Sequence, residues 1–225
     1  MARSAWPAED QGGGQASIIL KVSLFTKRPM NQATLLPEDH EAIARQIGRA
    51  PHGVMSVAYR CPSGHPGVAL TYPLKSQNGH VTPFPSQMWL TCPLLTTHLS
   101  ELERTGVIAD LQQRLVESSD LQARFADDHR RCIAHRWSLL SPEDQDLIQT
   151  RNMTHIFAQR GIGGVRHWMT IKCLHLHFAH HLTLGDTVGQ LLEKEYGVEP
   201  CREKQLNCVN TAARQQSPRA CQFRA

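Results

Sequence analysis

The sequence predicts an α+β fold in which a small antiparallel element, a β-hairpin with a third strand, packs against a mainly helical layer. Between Gly53 and Thr71 apolar and polar residues alternate, which is the pattern of half-buried strands. After Pro93 apolar residues recur every three or four positions, as in amphipathic helices. The chain has 225 residues, 40% of them hydrophobic and 20% charged, so we expect one soluble domain with a substantial core.

The N-terminal part of the chain is expected to carry the strands. Residues 1–35 contain a Gly-Gly-Gly tract and little periodicity, so we interpret them as a flexible extension. A short helix is expected from Leu36 through Ile47, because Pro37 and the acidic residues after it suit a first helical turn. The single α+β domain therefore begins at residue 36 and extends to residue 199.

The hairpin between Gly53 and Thr71 is expected to turn at Cys61-Pro62-Ser63-Gly64-His65-Pro66-Gly67, a dense cluster of turn-forming residues. A further short strand is predicted from Gln87 to Thr91, and Asn78-Gly79 supplies a turn before it. This strand ends at Cys92-Pro93.

The remainder of the domain is expected to be helical. Ser141 is a suitable N-cap before Pro142, and Gly185 is a suitable stop signal. The segment Gly161-Ile162-Gly163-Gly164 is interpreted as a hinge or turn, and the polar tail of residues 200–225 as disordered. Helices are predicted at His98 to Arg104, Val107 to Val116, Ser119 to Trp137, from Ser141 onward, Ile171 to Leu184 and Thr187 to Tyr196.

Charge and hydropathy limit the classes of partner and the location. The formal net charge is +4 and the charges are scattered, so the sequence gives no nucleic-acid signal. The binding partner is unknown from the sequence, and another protein is one of the partners that it allows. We find no signal peptide and no run of about 18 apolar residues that would cross a membrane. A cytoplasmic location is expected, where the cysteines are thiols or metal ligands rather than disulfides.

The chain is rich in potential metal ligands, with 13 His and 7 Cys. The densest segment is Lys172 to Leu182. With about 100° per residue, Cys173 shares one helix face with His177, His180 and His181, whereas His175 falls within the opposite apolar stripe. A thiolate with imidazoles on one face suits zinc. The alternative is a solvated histidine face with a buried Cys173.

Two Cys-Pro steps lie at chain turns. Cys61-Pro62-Ser63-Gly64-His65 resembles half of a zinc knuckle in which Ser63 stands where a second Cys is usual, and His65 is a substitute ligand. Cys92-Pro93 repeats the step at a strand end. The alternative is that each cysteine is a small apolar core residue.

Several ordered motifs resemble a known family. They extend from about Ala42 to Tyr196 and are similar to the bacterial family called domain of unknown function 501, whose biochemical role is not established. The motifs are Arg60-Cys61-Pro62, Thr82-Pro83-Phe84-Pro85, Trp89-Leu90-Thr91-Cys92-Pro93 and Lys172-Cys173-Leu174-His175, together with Leu102-Glu103, Gly106 and the segment His129 to Arg136.

The resemblance selects a metal site. The positions that match the family motifs are Cys61, Cys92, Cys173, His175, His180 and His129. Three cysteines from separate elements, completed by His175 or His180, predict a zinc site, and an iron–sulfur cluster is the alternative cofactor.

Two functions remain open from the sequence. The first is a metal-dependent enzyme in which His129, His175 and His180 are candidates for proton transfer. The second is a non-catalytic regulatory or protein-binding module with a structural metal. His129 alternatively is a core histidine hydrogen-bonded to backbone. Whether the protein is an enzyme, and which reaction it performs, stays open at this point.

Overall fold

Six short strands lie in the N-terminal half of the fold. The computed structural model describes residues 33–77 and 80–201. The strands are β1 (Ala33–Thr34), β2 (Val54–Arg60), β3 (Pro66–Thr71), β4 (Leu74–Gln77), β5 (His80–Pro83) and β6 (Met88–Leu90). Four of them form an antiparallel sheet in the order β1-β2-β3-β6, and a separate hairpin pairs β4 with β5.

Eight α-helices accompany these strands in the described residues. They are α1 (Pro37–Ile47), α2 (Pro93–Arg104), α3 (Val107–Glu117), α4 (Ser119–Ser138), α5 (Pro142–Thr150), α6 (Thr154–Gln159), α7 (Leu174–Leu184) and α8 (Thr187–Tyr196). A 3₁₀ turn, Ile162–Gly164, lies between α6 and α7. None of the helices in the described part of the chain is long and apolar enough to cross a bilayer.

The strand β3 is the centre of the sheet and is buried along its whole length. Val68 and Leu70 pack with Ala179 of α7 on one face. Ala69 packs with Ile43 of α1 on the other. The α+β prediction is therefore confirmed, and the sheet is covered by helices on both faces rather than on one.

The largest part of the core joins α2, α3, α4, α7 and α8. Leu99, Leu111, Phe125, Phe178 and Leu192 are each at most 1% exposed within it. This apolar contact holds α2 against α7, and it brings the last turn of α2 close to the start of α7.

From residue 36 onward, the predicted and observed elements differ in four places. The helix α2 begins at Pro93 rather than His98, because proline lacks the amide hydrogen that a first turn leaves unbonded. The helix α7 begins at Leu174 rather than Ile171, since Cys173 is extended, with φ −164° and ψ 129°. The helix α6 and the hairpin β4–β5 were not predicted.

The predicted terminal segments fall largely outside the described residues. Ala33 and Thr34, at the end of the predicted extension, pair with Val57 and Ser56 of β2. Residues 1–32, the turn residues 78–79 and residues 202–225 lie outside the described part of the chain. The proposed disorder of the two ends therefore stays a prediction.

Candidate metal centre

Three potential metal ligands meet where the end of α2 faces the start of α7. Glu103, Cys173 and His175 each offer one ligand atom, and these atoms all lie within 4.8 Å of one another. The His175 Nδ1 atom is 3.1 Å from Glu103 Oε1 and 3.6 Å from Cys173 Sγ. The Cys173 residue is 8% exposed, and the side chains of His175 and Glu103 are 22% and 24% exposed. The group is thus largely buried, with its His175 and Glu103 side chains in partial contact with solvent.

The start of α7 explains why Cys173 and His175 converge. Two residues separated by two positions in a helix lie about 200° apart around its axis and do not meet. Cys173 precedes the helix as its N-cap, in an extended conformation, whereas His175 belongs to the first helical turn. The expected spacing of about 100° per residue therefore does not apply to Cys173. Its thiol lies near the His175 ring instead of sharing a helix face with His180.

The other ring nitrogen of His175 is held by α2. Its Nε2 atom lies 3.1 Å from the carbonyl oxygen of Thr96 and 3.2 Å from Ser100 Oγ. Because a carbonyl only accepts hydrogen bonds, Nε2 carries the proton that it donates to Thr96. In the neutral imidazole this leaves the lone pair on Nδ1, which points into the group with Glu103 and Cys173. An outer carbonyl that fixes the tautomer in this way is common for metal-binding histidines.

The Glu103 carboxylate is held in its ionised form. Its Oε1 atom accepts a hydrogen bond from the Leu174 amide at 2.7 Å. Burial raises the pKa of Glu103, but the hydrogen bond and charge of His175, with the Leu174 amide and Cys173, outweigh burial and lower that pKa below its ordinary value. The ionised Glu103 oxygen and the His175 Nδ1 atom thus face each other at 3.1 Å, and the position between them suits a proton or a metal cation in its place.

Cys61 and Cys92 lie elsewhere, at one end of the main sheet. Cys61 closes the β2–β3 turn, where its amide donates to the His65 carbonyl at 3.0 Å. Cys92 follows β6 and caps α2. Burial is the main cause of the raised pKa of the Cys92 thiol; the Leu95 and Leu94 amides oppose it, and the nearby Cys201 and Cys61 add to it. The structure thus associates Cys61 and Cys92 with Cys201 and does not add them to the group around Cys173.

The predicted ligand His180 is also outside the group. It is 1% exposed, and burial lowers its pKa to about 3. Its neighbour His177, equally buried, has Nδ1 3.0 Å from Asp186 Oδ2. The histidines on this side of α7 therefore lie in the core rather than on a solvated face.

The predicted proton-transfer residue His129 has both ring nitrogens engaged with backbone. Its Nδ1 atom accepts from the Ile162 amide at 2.9 Å, and Nε2 donates to the Trp168 carbonyl at 2.8 Å. Burial is the main cause that lowers its pKa to about 4. This geometry corresponds to the core histidine that was the alternative interpretation of the sequence.

Glu103 is the residue that the sequence reasoning did not propose as a ligand. The signal was present, because Leu102-Glu103 is one of the segments that carry the family resemblance. Glutamate on an amphipathic helix is usually solvated, however, and Glu103 is distant from Cys173 and His175 along the chain. Its position in the sequence therefore gives no indication of a metal site.

Comparison with known proteins supports the resemblance. A family model described as "Protein of unknown function (DUF501)" matches residues 57–194, which is more than half of the chain. The chain belongs to the DUF501 family. The matched span of this DUF501 protein includes Glu103, Cys173 and His175 and ends before Cys201. No curated protein and no solved structure matches it.

Proposed function

We propose that this DUF501 protein is a zinc-binding protein whose metal is held by Glu103, Cys173 and His175 and keeps one position open for a water or substrate. The observation that carries the proposal is the convergence of one thiol, one imidazole nitrogen and one carboxylate oxygen within 4.8 Å. Three protein ligands with an open fourth position are typical of catalytic zinc sites, and four protein ligands are typical of structural sites.

The distances fit the size of a zinc ion. With Zn–S and Zn–N bonds of about 2.3 Å and about 2.05 Å, a tetrahedral zinc holds its sulfur and nitrogen ligands about 3.6 Å apart, and its nitrogen and oxygen ligands about 3.4 Å apart. The corresponding pairs are 3.6 Å apart for Cys173 Sγ and His175 Nδ1 and 3.1 Å apart for His175 Nδ1 and Glu103 Oε1. Small side-chain movements would complete the coordination.

The donor set favours zinc over an iron–sulfur cluster. The group contains one thiol, whereas iron–sulfur clusters are held mainly by cysteine thiolates. A thiolate and a carboxylate together also balance the double positive charge of zinc. Such a site needs Cys173 outside any disulfide, as it is here, which agrees with the cytoplasmic location expected from the sequence.

The partial exposure of His175 and Glu103 supports an enzymatic role for the site. A zinc ion with an exchangeable water lowers the pKa of that water to about 7 and supplies hydroxide at neutral pH. In this arrangement the Thr96 carbonyl orients His175, and the Leu174 amide orients Glu103. The alternative is a structural metal that fastens α2 to α7, because the ligands come from both helices.

Metal analysis of the full chain purified without added zinc is the first test. We expect about one zinc per chain and a Co²⁺ derivative with a sulfur-to-metal charge-transfer band. Glu103→Gln preserves the shape of the side chain and should weaken zinc at least about tenfold, as is typical for loss of a charged hydrogen-bonding or ligand group. Cys173→Ser should abolish the charge-transfer band, while Cys201→Ser is the matched thiol control and should retain it.

Two further measurements separate the alternatives. If Cys61→Ser and Cys92→Ser remove the metal and Glu103→Gln does not, the site with three cysteines is correct and the present one is refuted. Azide added to the Co²⁺ protein should shift the visible bands if a position is open. Unchanged bands would identify a closed, structural metal instead of a catalytic one.

A further inference from the structure

Arg136, on α4, is the largest fully buried side chain in the described residues and carries a charge without a carboxylate partner. It is 1% exposed. Its Nη2 group donates to the carbonyl oxygens of Phe157, at 3.0 Å, and Arg160. Its Nε and Nη1 atoms have no hydrogen-bond partner among the described residues. Burial lowers the pKa of this guanidinium, but an arginine remains protonated in proteins. A buried charge that lacks a compensating group of opposite sign is unfavourable.

The cavity next to Arg136 is too small for a polyatomic anion. It lies between Pro83-Phe84-Pro85 and α6 and has a volume of about 10 Å³. A cavity of about this volume holds one water molecule. The compensation of the Arg136 charge therefore has to come from another direction.

An open concavity lies on the same segment that Arg136 fixes. It is lined by Gln159, Arg160 and Arg166 and encloses about 260 Å³. The backbone of this segment is fixed from several sides: the Trp168 indole donates to the Gln159 carbonyl at 2.9 Å, and Arg136 donates to the Arg160 carbonyl. The Arg160 guanidinium is thus carried by a backbone that is already positioned, and its Nη1 group donates to the Gly164 carbonyl at 3.4 Å.

The charge of this region has a single sign. Among the described residues, no carboxylate lines the concavity. In the described part of the chain, Arg136, Arg160 and Arg166 take part in none of the ion pairs, whereas many other arginines of the protein do. Positive charges without local acidic partners raise the local concentration of anions and favour their binding.

We propose that the concavity of Gln159, Arg160 and Arg166 binds the phosphate group of a small molecule, with the buried Arg136 adding to its positive potential. The planar guanidinium presents paired N–H donors that match phosphate oxygens, and each such bond is charge-assisted. The Gln159 amide offers a neutral donor beside them. The site uses none of the metal ligands, so it stands independently of the zinc proposal.

Calorimetric titration of the full chain with inorganic phosphate, in buffer with about 150 mM chloride to screen general attraction, tests this proposal. Glycerol 3-phosphate, titrated in parallel, distinguishes an esterified phosphate from the free ion. We expect saturable binding at one site. Arg160→Gln and Arg166→Gln should each weaken it about tenfold or more, the loss typical of one hydrogen bond between charged groups.

Arg151→Gln is the matched control, because Arg151 is exposed just before α6 and does not line the concavity. The Arg151→Gln variant should bind phosphate with an affinity within about twofold of that of the unsubstituted protein. The Cys173→Ser variant, in which one proposed zinc ligand is replaced, should do the same. Absence of saturable binding, or an equal loss in Arg151→Gln and Arg166→Gln, would overturn the proposal. Loss of phosphate binding in Cys173→Ser would assign the anion to the metal centre instead.

Discussion

Acid should destabilise this protein strongly between pH 7 and pH 5 because of its buried histidines. Burial is the main cause that lowers the pKa of His129 and His135 to about 4 and of His180 to about 3. In the unfolded chain these groups return to the ordinary value of 6.5. Between these values the unfolded chain binds more protons than the folded protein, so stability falls as the pH falls.

The magnitude follows from linkage. Each depressed histidine removes about 1.8 kcal/mol of stability between pH 7 and pH 5, so the group removes about 5.5 kcal/mol. Asp128 acts in the opposite direction, because burial and the charge of Asp186 raise its pKa to about 6. Its protonation in the folded state returns about 1.3 kcal/mol over the same interval. The expected net loss is about 4 kcal/mol, a large part of the stability of an ordinary domain.

Urea unfolding at several pH values between 7 and 5 measures this loss directly. His135→Leu should remove about 1.8 kcal/mol of this loss, nearly half of the net pH dependence. The substitution leaves no polar group unpaired, since neither ring nitrogen of His135 has a hydrogen-bond partner among the described residues. The control is His52→Gln, on the exposed segment before β2, which should leave the dependence unchanged. A total loss below about 1 kcal/mol would refute the picture of neutral, buried histidines.

Two local substitutions test the packing and the ion pairs of the fold. A Cβ at Gly161 would lie 2.3 Å from His129 Nδ1, so Gly161→Ala should lower the free energy of unfolding by about 1–3 kcal/mol. Gly197 has open space around it and φ +63°, so Gly197→Ala should lower the same free energy by about 1 kcal/mol through backbone strain alone. Equal, small losses in the two variants would contradict the clash with His129. Arg60 binds the two Asp39 carboxylate oxygens at 2.7 Å and 2.6 Å, so Arg60→Met should remove about 2 kcal/mol in urea unfolding, and a neutral result would mean that the pair adds no net stability.

Most elements of the fold could be predicted because their signals are local. The helix Thr187–Tyr196 matches its predicted bounds, and its Asp186 N-cap accepts the Gly189 amide at 2.8 Å. The β2–β3 hairpin follows from alternation and its Pro-Gly turn. The helix α6 could not be predicted in this way, since six residues are too few to show a helical period.

The candidate site was predicted in part. Cys173 and His175 were both singled out, but with Cys61, Cys92 and His180 as their companions. Helical spacing placed His180 beside Cys173, which is valid only if Cys173 is itself helical. The observed N-cap conformation of Cys173 invalidates that assumption. The proposed pairing with Glu103 depends on this one backbone conformation.

The sequence by itself determined the class of fold, the order of its main elements and the family, because periodicity, caps and turn residues act over a few neighbouring positions. The tertiary structure decided which side chains meet. Glu103 reaches His175 because apolar burial packs α2 against α7, and Arg136 reaches the Phe157 carbonyl because α4 packs against α6. Such contacts join residues distant along the chain, and their free energy comes from packing that no local pattern encodes.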